Sequence, residues 1–276
     1  MKLQDLRNKI KHYMPKELAP LLVFFRRTYM RMLTLWTGLW DRRNIRKSGF
    51  DRLPPASLRY RVHGSPDLKS FLNVGKRCKE DIEVSLSRSG ENLSSFQNIL
   101  DFGCGCGRTL LWLGNHKQAS CVHGTDIDSE AIWWCSKHLG FGKFSVNKPL
   151  PPLDFPSGMF DLILAISVFT HLDEDHQFLW LRELERVARR KGVLVLTVHG
   201  YHCWKELRND DVKKIQETGF LFLKSNFWKG LFPEWYQTAY HTKEYVLENY
   251  GKYFEVLDYV PRGLNNHQDL VLLQKP

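Results

Sequence analysis

Apolar and polar positions change their period along the chain, and the change marks where one kind of structure gives way to another. Leu68, Phe71, Leu72, Cys78, Ile82 and Leu86 recur at helical spacing. Ser65 is placed to cap that helix, Pro66 suits its first turn, and Gly90 ends it. From residue 98 onward, short apolar runs alternate with amphipathic stretches. Strands are predicted over residues 98–102, 120–126, 143–146, 160–166 and 192–198. Helices are predicted from about residue 107, over 129–139 and over 173–190. The fourth run is apolar throughout after Asp161, as in a strand covered on both faces. Repeated strand–helix units imply a parallel, doubly wound sheet with right-handed crossovers. The ending differs: residues 254–260 and 269–273 are two runs joined by a short loop, so they must pair antiparallel.

Composition narrows the class. With 276 residues, 43% of them hydrophobic and 25% charged, the chain can bury a sizeable core, which excludes disordered, collagen-like and low-complexity chains. The most apolar stretch, residues 18–40, is cut by Arg26, Arg27 and Arg31, so no membrane span is expected. The opening residues lead into no apolar core of a secretion signal, and the six cysteines are scattered. Reduced thiols and a cytoplasmic location are expected.

Charge is unevenly spread. Residues 1–62 hold 15 Lys and Arg against 4 Asp and Glu, a net of +11. The remainder, 25 basic and 26 acidic residues in 63–276, is balanced at −1. We therefore expect a basic N-terminal helical extension over 1–62 and a main domain over 63–276. Basic clusters interleaved with Phe24, Phe25, Trp36 and Trp40 suit peripheral contact with an anionic membrane through residues 1–46. The alternative is a helix packed on the main domain with its basic face in water. The balanced remainder argues against a nucleic-acid partner.

The chemistry concentrates after the first strand. Asp101-Phe102-Gly103-Cys104-Gly105-Cys106-Gly107 follows a strand and opens a helix, and alternating glycines let the backbone turn sharply against a ligand. As a dinucleotide fingerprint it fails, because Arg108 stands where the third glycine belongs and Asp101 would repel a pyrophosphate. A cationic ligand suits Asp101 better. Asp126 ends the next strand, where a carboxylate can accept both ribose hydroxyls. Cys104-x-Cys106 sits inside the glycine loop with no second Cys/His pair to complete a site, so no metal is expected.

These residues resemble the class I S-adenosylmethionine-dependent methyltransferases over roughly residues 96–276. The likeness rests on Ile99 to Gly107, on Gly124-Thr125-Asp126-Ile127-Asp128, on Phe160 to Leu172 and on Leu184-Glu185-Arg186-Val187, in that order. One departure is Arg190-Lys191-Gly192 where the family has proline-glycine-glycine. The resemblance implies an α/β, Rossmann-like sheet of seven strands ordered 3-2-1-4-5-7-6 with strand 7 antiparallel. It also implies S-adenosyl-L-methionine as cofactor and S-adenosyl-L-homocysteine as product. Gly103, Cys104, Gly105 and Gly107 would face its methionine part, Asp101 its ammonium and Asp126 its ribose. Ile127 would lie on adenine and Asn147 at its edge, with Ser167 and Val168 lining the cofactor or acceptor side.

Methyl transfer to a hydroxyl requires positioning and a base. Filtering the eleven histidines by the carboxyl edge of the sheet ranks His171 first, His199 second and His241 third. The aromatic stretch 200–240, with Tyr236, is expected to form an acceptor-site insertion, the alternative being a small satellite core beneath a long loop. Asn266 and His267 lie in the loop before the last strand, and Arg61 is placed to meet an acceptor carboxylate or phosphate. The expected function is O-methylation of a small-molecule or glycan acceptor. The alternatives are an RNA or protein methyltransferase, a non-catalytic binder of the cofactor, and a nicotinamide dehydrogenase. Ser167-Val168-Phe169-Thr170 stands where an amide-binding Asn-Pro-Pro-Tyr motif would be, which weakens the macromolecular reading.

Overall fold

In the computed structural model, the described residues are 24, 28, 32, 35–37, 41, 45, 48–113, 121–224 and 237–276. The strands among them are β1 (Asn98–Phe102), β2 (Cys121–Asp126), β3 (Gly142–Val146), β4 (Phe160–Ala165), β5 (Ala188–Val198), β6 (Phe220–Leu223), β7 (Thr238–His241), β8 (Glu255–Leu264) and β9 (Gln268–Gln274). Seven form one sheet in the order β3-β2-β1-β4-β5-β9-β8, while β6 and β7 pair as a separate ribbon. The first five are parallel neighbours, and β9 runs antiparallel to both β5 and β8. With the ribbon set aside, β8 and β9 are the sheet's sixth and seventh members, so the order is 3-2-1-4-5-7-6.

Side-chain alternation on the central strands explains why this sheet needs cover on both faces. Ile163 and Ala165 of β4 enter one apolar cluster with Leu194 and Leu196 of β5 and Val271 of β9. Leu162 and Leu164 enter the opposite cluster with Val193, Val195 and Leu272. Asp161 is the polar exception at the strand's start. It is 2% exposed and accepts from the backbone N–H groups of Gln97 and Asn98 at 2.8 and 2.9 Å, pinning β1 beside β4.

From residue 56 on, the α-helices among the described residues are α1 (Ala56–His63), α2 (Leu68–Arg88), α3 (Leu110–Leu113), α4 (Ser129–His138), α5 (Glu174–Val187), α6 (Tyr201–Trp204), α7 (Asn209–Thr218) and α8 (Lys243–Tyr250). Three sequence expectations are corrected here. The cap of α2 is Asp67, not Ser65: its carboxylate accepts from the Ser70 N–H at 2.6 Å. Strand β5 begins at Ala188, four residues before Gly192, because Ala188 pairs with Phe160 across a register shift. The expected boundary at residue 62 falls inside α1, whose Arg61 and Val62 line the main cavity.

Residues before the boundary are also tied in by charge. Arg59 is 1% exposed and donates to Asp41 at 2.6 Å, to the Pro54 carbonyl at 2.6 Å and to the Pro66 carbonyl at 2.9 Å. That buried pair fixes the chain around residue 41 against α1. Further upstream, the described helical residues Phe24, Met32, Leu35 and Trp36 are exposed. No helix among the described residues is long and apolar enough to cross a membrane.

Candidate active site

A cavity of about 550 Å³ opens beyond the carboxyl ends of β1, β2 and β4, where ligands bind in doubly wound sheets. The glycine loop makes its floor. After β1 the chain reverses through Gly103, Gly105 and Gly107, all with positive φ. The N–H groups of Gly103 and Cys104 both donate to the Thr125 carbonyl, at 2.8 and 3.0 Å. A Cβ on Gly105 would meet Val62 Cγ2 at 2.6 Å, so α1 closes directly on the loop. Gly107 does not line the cavity. Its Cα faces Leu139, with a built Cβ 2.7 Å from Leu139 Cδ1, so its role is helix packing. Cys104 and Cys106 are buried thiols with raised pKa values, Cys104 chiefly through its contact with Cys135 and then burial, Cys106 chiefly through burial.

Two carboxylates define the electrostatics. Asp126 accepts from the Gly105 N–H at one oxygen and the Asp128 N–H at the other, each at 2.8 Å. The Ile127 N–H also favours the charged form, and the carboxylate keeps lone-pair capacity for a hydroxyl. Burial raises its pKa while these backbone donors pull it down. Asp101 is 3% exposed, and burial followed by the Asp126 charge lifts its pKa to about 7, against the pull of Arg108. A bound cation would reverse that lift. Asn147 Oδ1 and Arg108 Nε, both on cavity residues, are buried without a hydrogen-bond partner among the described residues. Such groups are what a polar ligand satisfies.

The remaining wall comes from the end of β4. Ser167 holds φ 60°, its N–H donates to Thr197 Oγ1 at 2.8 Å, and its hydroxyl donates to Gln268 Oε1 at 2.9 Å. A non-glycine residue in that conformation stores strain that surrounding bonds must hold. Gln268 also accepts from the Thr197 hydroxyl at 2.8 Å. Nothing local in the sequence marks Gln268, because its partners lie 71 and 101 residues away. Ile127 and Val168 line the same cavity.

The three candidate bases part company. His171 lines the cavity, and its Nδ1 lies 2.7 Å from the Gln237 carbonyl. That fixes the proton on Nδ1 and leaves Nε2 as the basic nitrogen. Burial lowers its pKa to about 4. His199 stands off the cavity with its ring 6.3 Å from that of His171, and burial takes its pKa to about 3. His241 is corrected outright as a base. Pairing of β7 with β6 turns it inward, where it is fully buried 3.0 Å from Gln177 Oε1 and beside Tyr250.

The acceptor-side candidates are also redistributed. Arg61 lines the cavity but is taken by Asp128 at 2.9 Å and Glu130 at 2.8 Å, which leaves no fork for an acceptor's anion. Asn266 is exposed at the turn between β8 and β9, where its carbonyl accepts from Arg262 at 3.3 Å, and it does not line the cavity. His267, exposed beside it, faces Cys203 rather than the cavity. Tyr236 lies outside the described residues.

A family model described as a methyltransferase domain matches residues 100–196, the span from β1 to β5. The chain is 30% identical over 110 residues to ajmaline N-methyltransferase of Rauvolfia serpentina, covering 37% of this chain and 36% of that protein. It is 29% identical over 91 residues to the rRNA N(6)-adenosine-methyltransferase metl-5 of Caenorhabditis elegans, covering 30% of this chain and 42% of that one. The chain thus spans less than half the length of these curated relatives. Its fold is shared with 1,6-didemethyltoxoflavin-N1-methyltransferase of Burkholderia thailandensis, with TM-score 0.52 and 16% identity over 80% of this chain and 88% of that one. With the 3-2-1-4-5-7-6 sheet and the glycine loop at its switch point, residues 100–196 are similar to the methyltransferase-domain family, and the chain shares the Rossmann-like methyltransferase fold.

Proposed function

We propose that this chain methylates a hydroxyl of a small-molecule or glycan acceptor. The observation that carries the reading is the convergence of Asp101, the Gly105–Asp126 pair and unsatisfied Asn147 and Arg108 in one cavity with His171 on its wall. The cofactor, when bound, supplies an electrophilic methyl on a sulfonium. Asp126 would take the ribose hydroxyls, Asn147 Oδ1 would accept from the adenine edge, and Asp101 would hold the ammonium. Arg108 would meet a carboxylate in the same cavity, and Ile127, which lines it, would lie against adenine. Arg61, held by Asp128 and Glu130, closes α1 over the adenosine side.

Chemistry on the acceptor asks little of the protein beyond alignment and proton removal. His171 Nε2 would accept the hydroxyl proton as the acceptor oxygen takes the methyl, whose bond to sulfur breaks to leave the neutral thioether of S-adenosylhomocysteine. The Gln237 carbonyl holds the opposite nitrogen protonated and stabilises the resulting imidazolium. The near-neutral charge of residues 63–276 disfavours a nucleic-acid acceptor. Incubating metabolite extracts with the protein and methyl-labelled cofactor, followed by mass spectrometry, tests the reading. Labelled methyl ethers support it; label appearing only in RNA or protein overturns it.

The exposed apolar residues Phe24, Met32, Leu35 and Trp36 on helical spacing, within a segment of net +11, favour a second proposal. Residues 1–46 touch an anionic membrane surface from the cytoplasmic side, bringing the domain to lipid-linked acceptors.

A further inference from the structure

His199, Cys203 on the next turn of chain, and the remote His267 meet just outside the cofactor cavity. His199 ends its run one residue past β5, Cys203 sits in α6, and His267 occupies the turn before β9. One donor atom from each lies within 4.8 Å of the others. Cys203 Sγ is 3.9 Å from the His267 ring nitrogens. The geometry points to a divalent metal site of the zinc class held by His199, Cys203 and His267.

The donors lie close enough for a modest contraction to bring them onto one ion. In a tetrahedral site with metal–sulfur near 2.3 Å and metal–nitrogen near 2.0 Å, neighbouring ligand atoms stand roughly 3.5 Å apart. The sulfur-to-ring distance here needs to contract by only a few tenths of an ångström. His199 Nδ1 donates to the Ala239 carbonyl at 3.1 Å, which leaves Nε2 as the nitrogen able to accept or ligate. A backbone carbonyl behind one ring nitrogen is the usual support of a metal-binding histidine. His267 is set by a tight turn in which Asn265 and Asn266 both take positive φ and its own N–H donates to Leu264 at 3.0 Å. A Cβ on Gly200 would overlap the Asp269 carboxylate, so glycine lets the chain pass from His199 into the short helix carrying Cys203.

Donor chemistry selects the ion. One thiolate and two imidazoles favour zinc or cobalt over magnesium or calcium, which prefer oxygen. Three protein ligands leave a fourth position for water or a substrate atom, unlike a closed structural site. The site also joins the cavity wall: Ser167 donates to Gln268 Oε1, and Gln268 Nε2 lies 3.5 Å from His199 Nε2. None of this depends on which acceptor is methylated.

Cobalt provides the test. Metal-stripped protein titrated with Co²⁺ should bind one ion per chain, with a thiolate-to-cobalt charge-transfer band and the visible spectrum of a tetrahedral site, and Zn²⁺ should displace it. Cys203→Ser should abolish the charge-transfer band, and His267→Gln should weaken binding at least tenfold. Cys121, whose sulfur lies 3.2 Å from His123 Nε2, is the internal control, and Cys121→Ser should leave band and affinity unchanged. Circular dichroism melts of the metal-stripped variants confirm that each is folded before titration. Absence of the band in the wild type, its persistence in Cys203→Ser, or its loss in Cys121→Ser overturns the site.

Discussion

Asp101 is a carboxyl group that the fold keeps partly protonated until something cationic arrives. Its pKa near 7 comes from burial and from Asp126. An ammonium beside it favours the ionised form, so binding should expel a proton. Affinity for S-adenosylhomocysteine should therefore rise as pH increases through about 7. Calorimetry in buffers of different ionisation enthalpy should show proton release in the wild type and none in Asp101→Asn. Equal release in both would place the titrating group elsewhere. For the base, His171→Gln should lower turnover on the identified acceptor by about 10²–10⁴-fold with cofactor affinity little changed. His241 belongs to a different experiment. Its folded pKa is lowered from 6.5 to about 3, so the unfolded chain binds the extra proton between those values. Stability present above pH 6.5 should be lost as pH falls toward 3, and His241→Gln should flatten that loss in denaturant titrations. An unchanged slope would show that this histidine is not buried neutral.

Among the elements, the loop between β1 and α3 is the one where a single methyl group should matter. Gly105 has φ 53°, and a Cβ there runs into Val62 of α1. Gly105→Ala should cost about 1–3 kcal/mol of stability and loosen the N–H that Asp126 accepts, lowering cofactor affinity. Unaltered melting and affinity would contradict the closure of α1 on this loop. The same loop shows what a sequence can disclose. Asp101, the alternating glycines and Asp126 are contiguous or follow apolar runs, so local pattern reaches them. The double-sided burial of β4 was equally legible in its uninterrupted apolar run. Gln268, the partners of Arg61 and the inward turn of His241 were not, because each depends on pairings across tens of residues. The early start of β5 was hidden for a similar reason: Ala188-Arg189-Arg190 continues a helical pattern until pairing with Phe160 overrides it. His199 and His202 stand near Cys203 in sequence; what the sequence hides is His267, which the turn between β8 and β9 brings to it.

For the molecule as a whole, the question is how the basic extension relates to the sheet. Arg59 and Asp41 form a buried pair at 2.6 Å, so the extension is pinned at residue 41 and not merely appended. Asp41→Asn should destabilise the protein by about 3–5 kcal/mol by stranding Arg59, read as a drop in the denaturant midpoint. Removing residues 1–40 spares that pair. It should abolish binding to liposomes containing acidic lipid, binding which in the full chain fades with salt, and leave cofactor affinity intact. Retained liposome binding would move the membrane contact elsewhere.

Everything proposed for the cavity rests on its holding S-adenosylmethionine through Asp126, and calorimetric titration with S-adenosylhomocysteine measures that directly. The wild type should bind one molecule per chain, and Asp126→Ala, still folded, should lose about 2–4 kcal/mol of binding. No binding to the wild type, or equal affinity in the two proteins, would contradict the assignment.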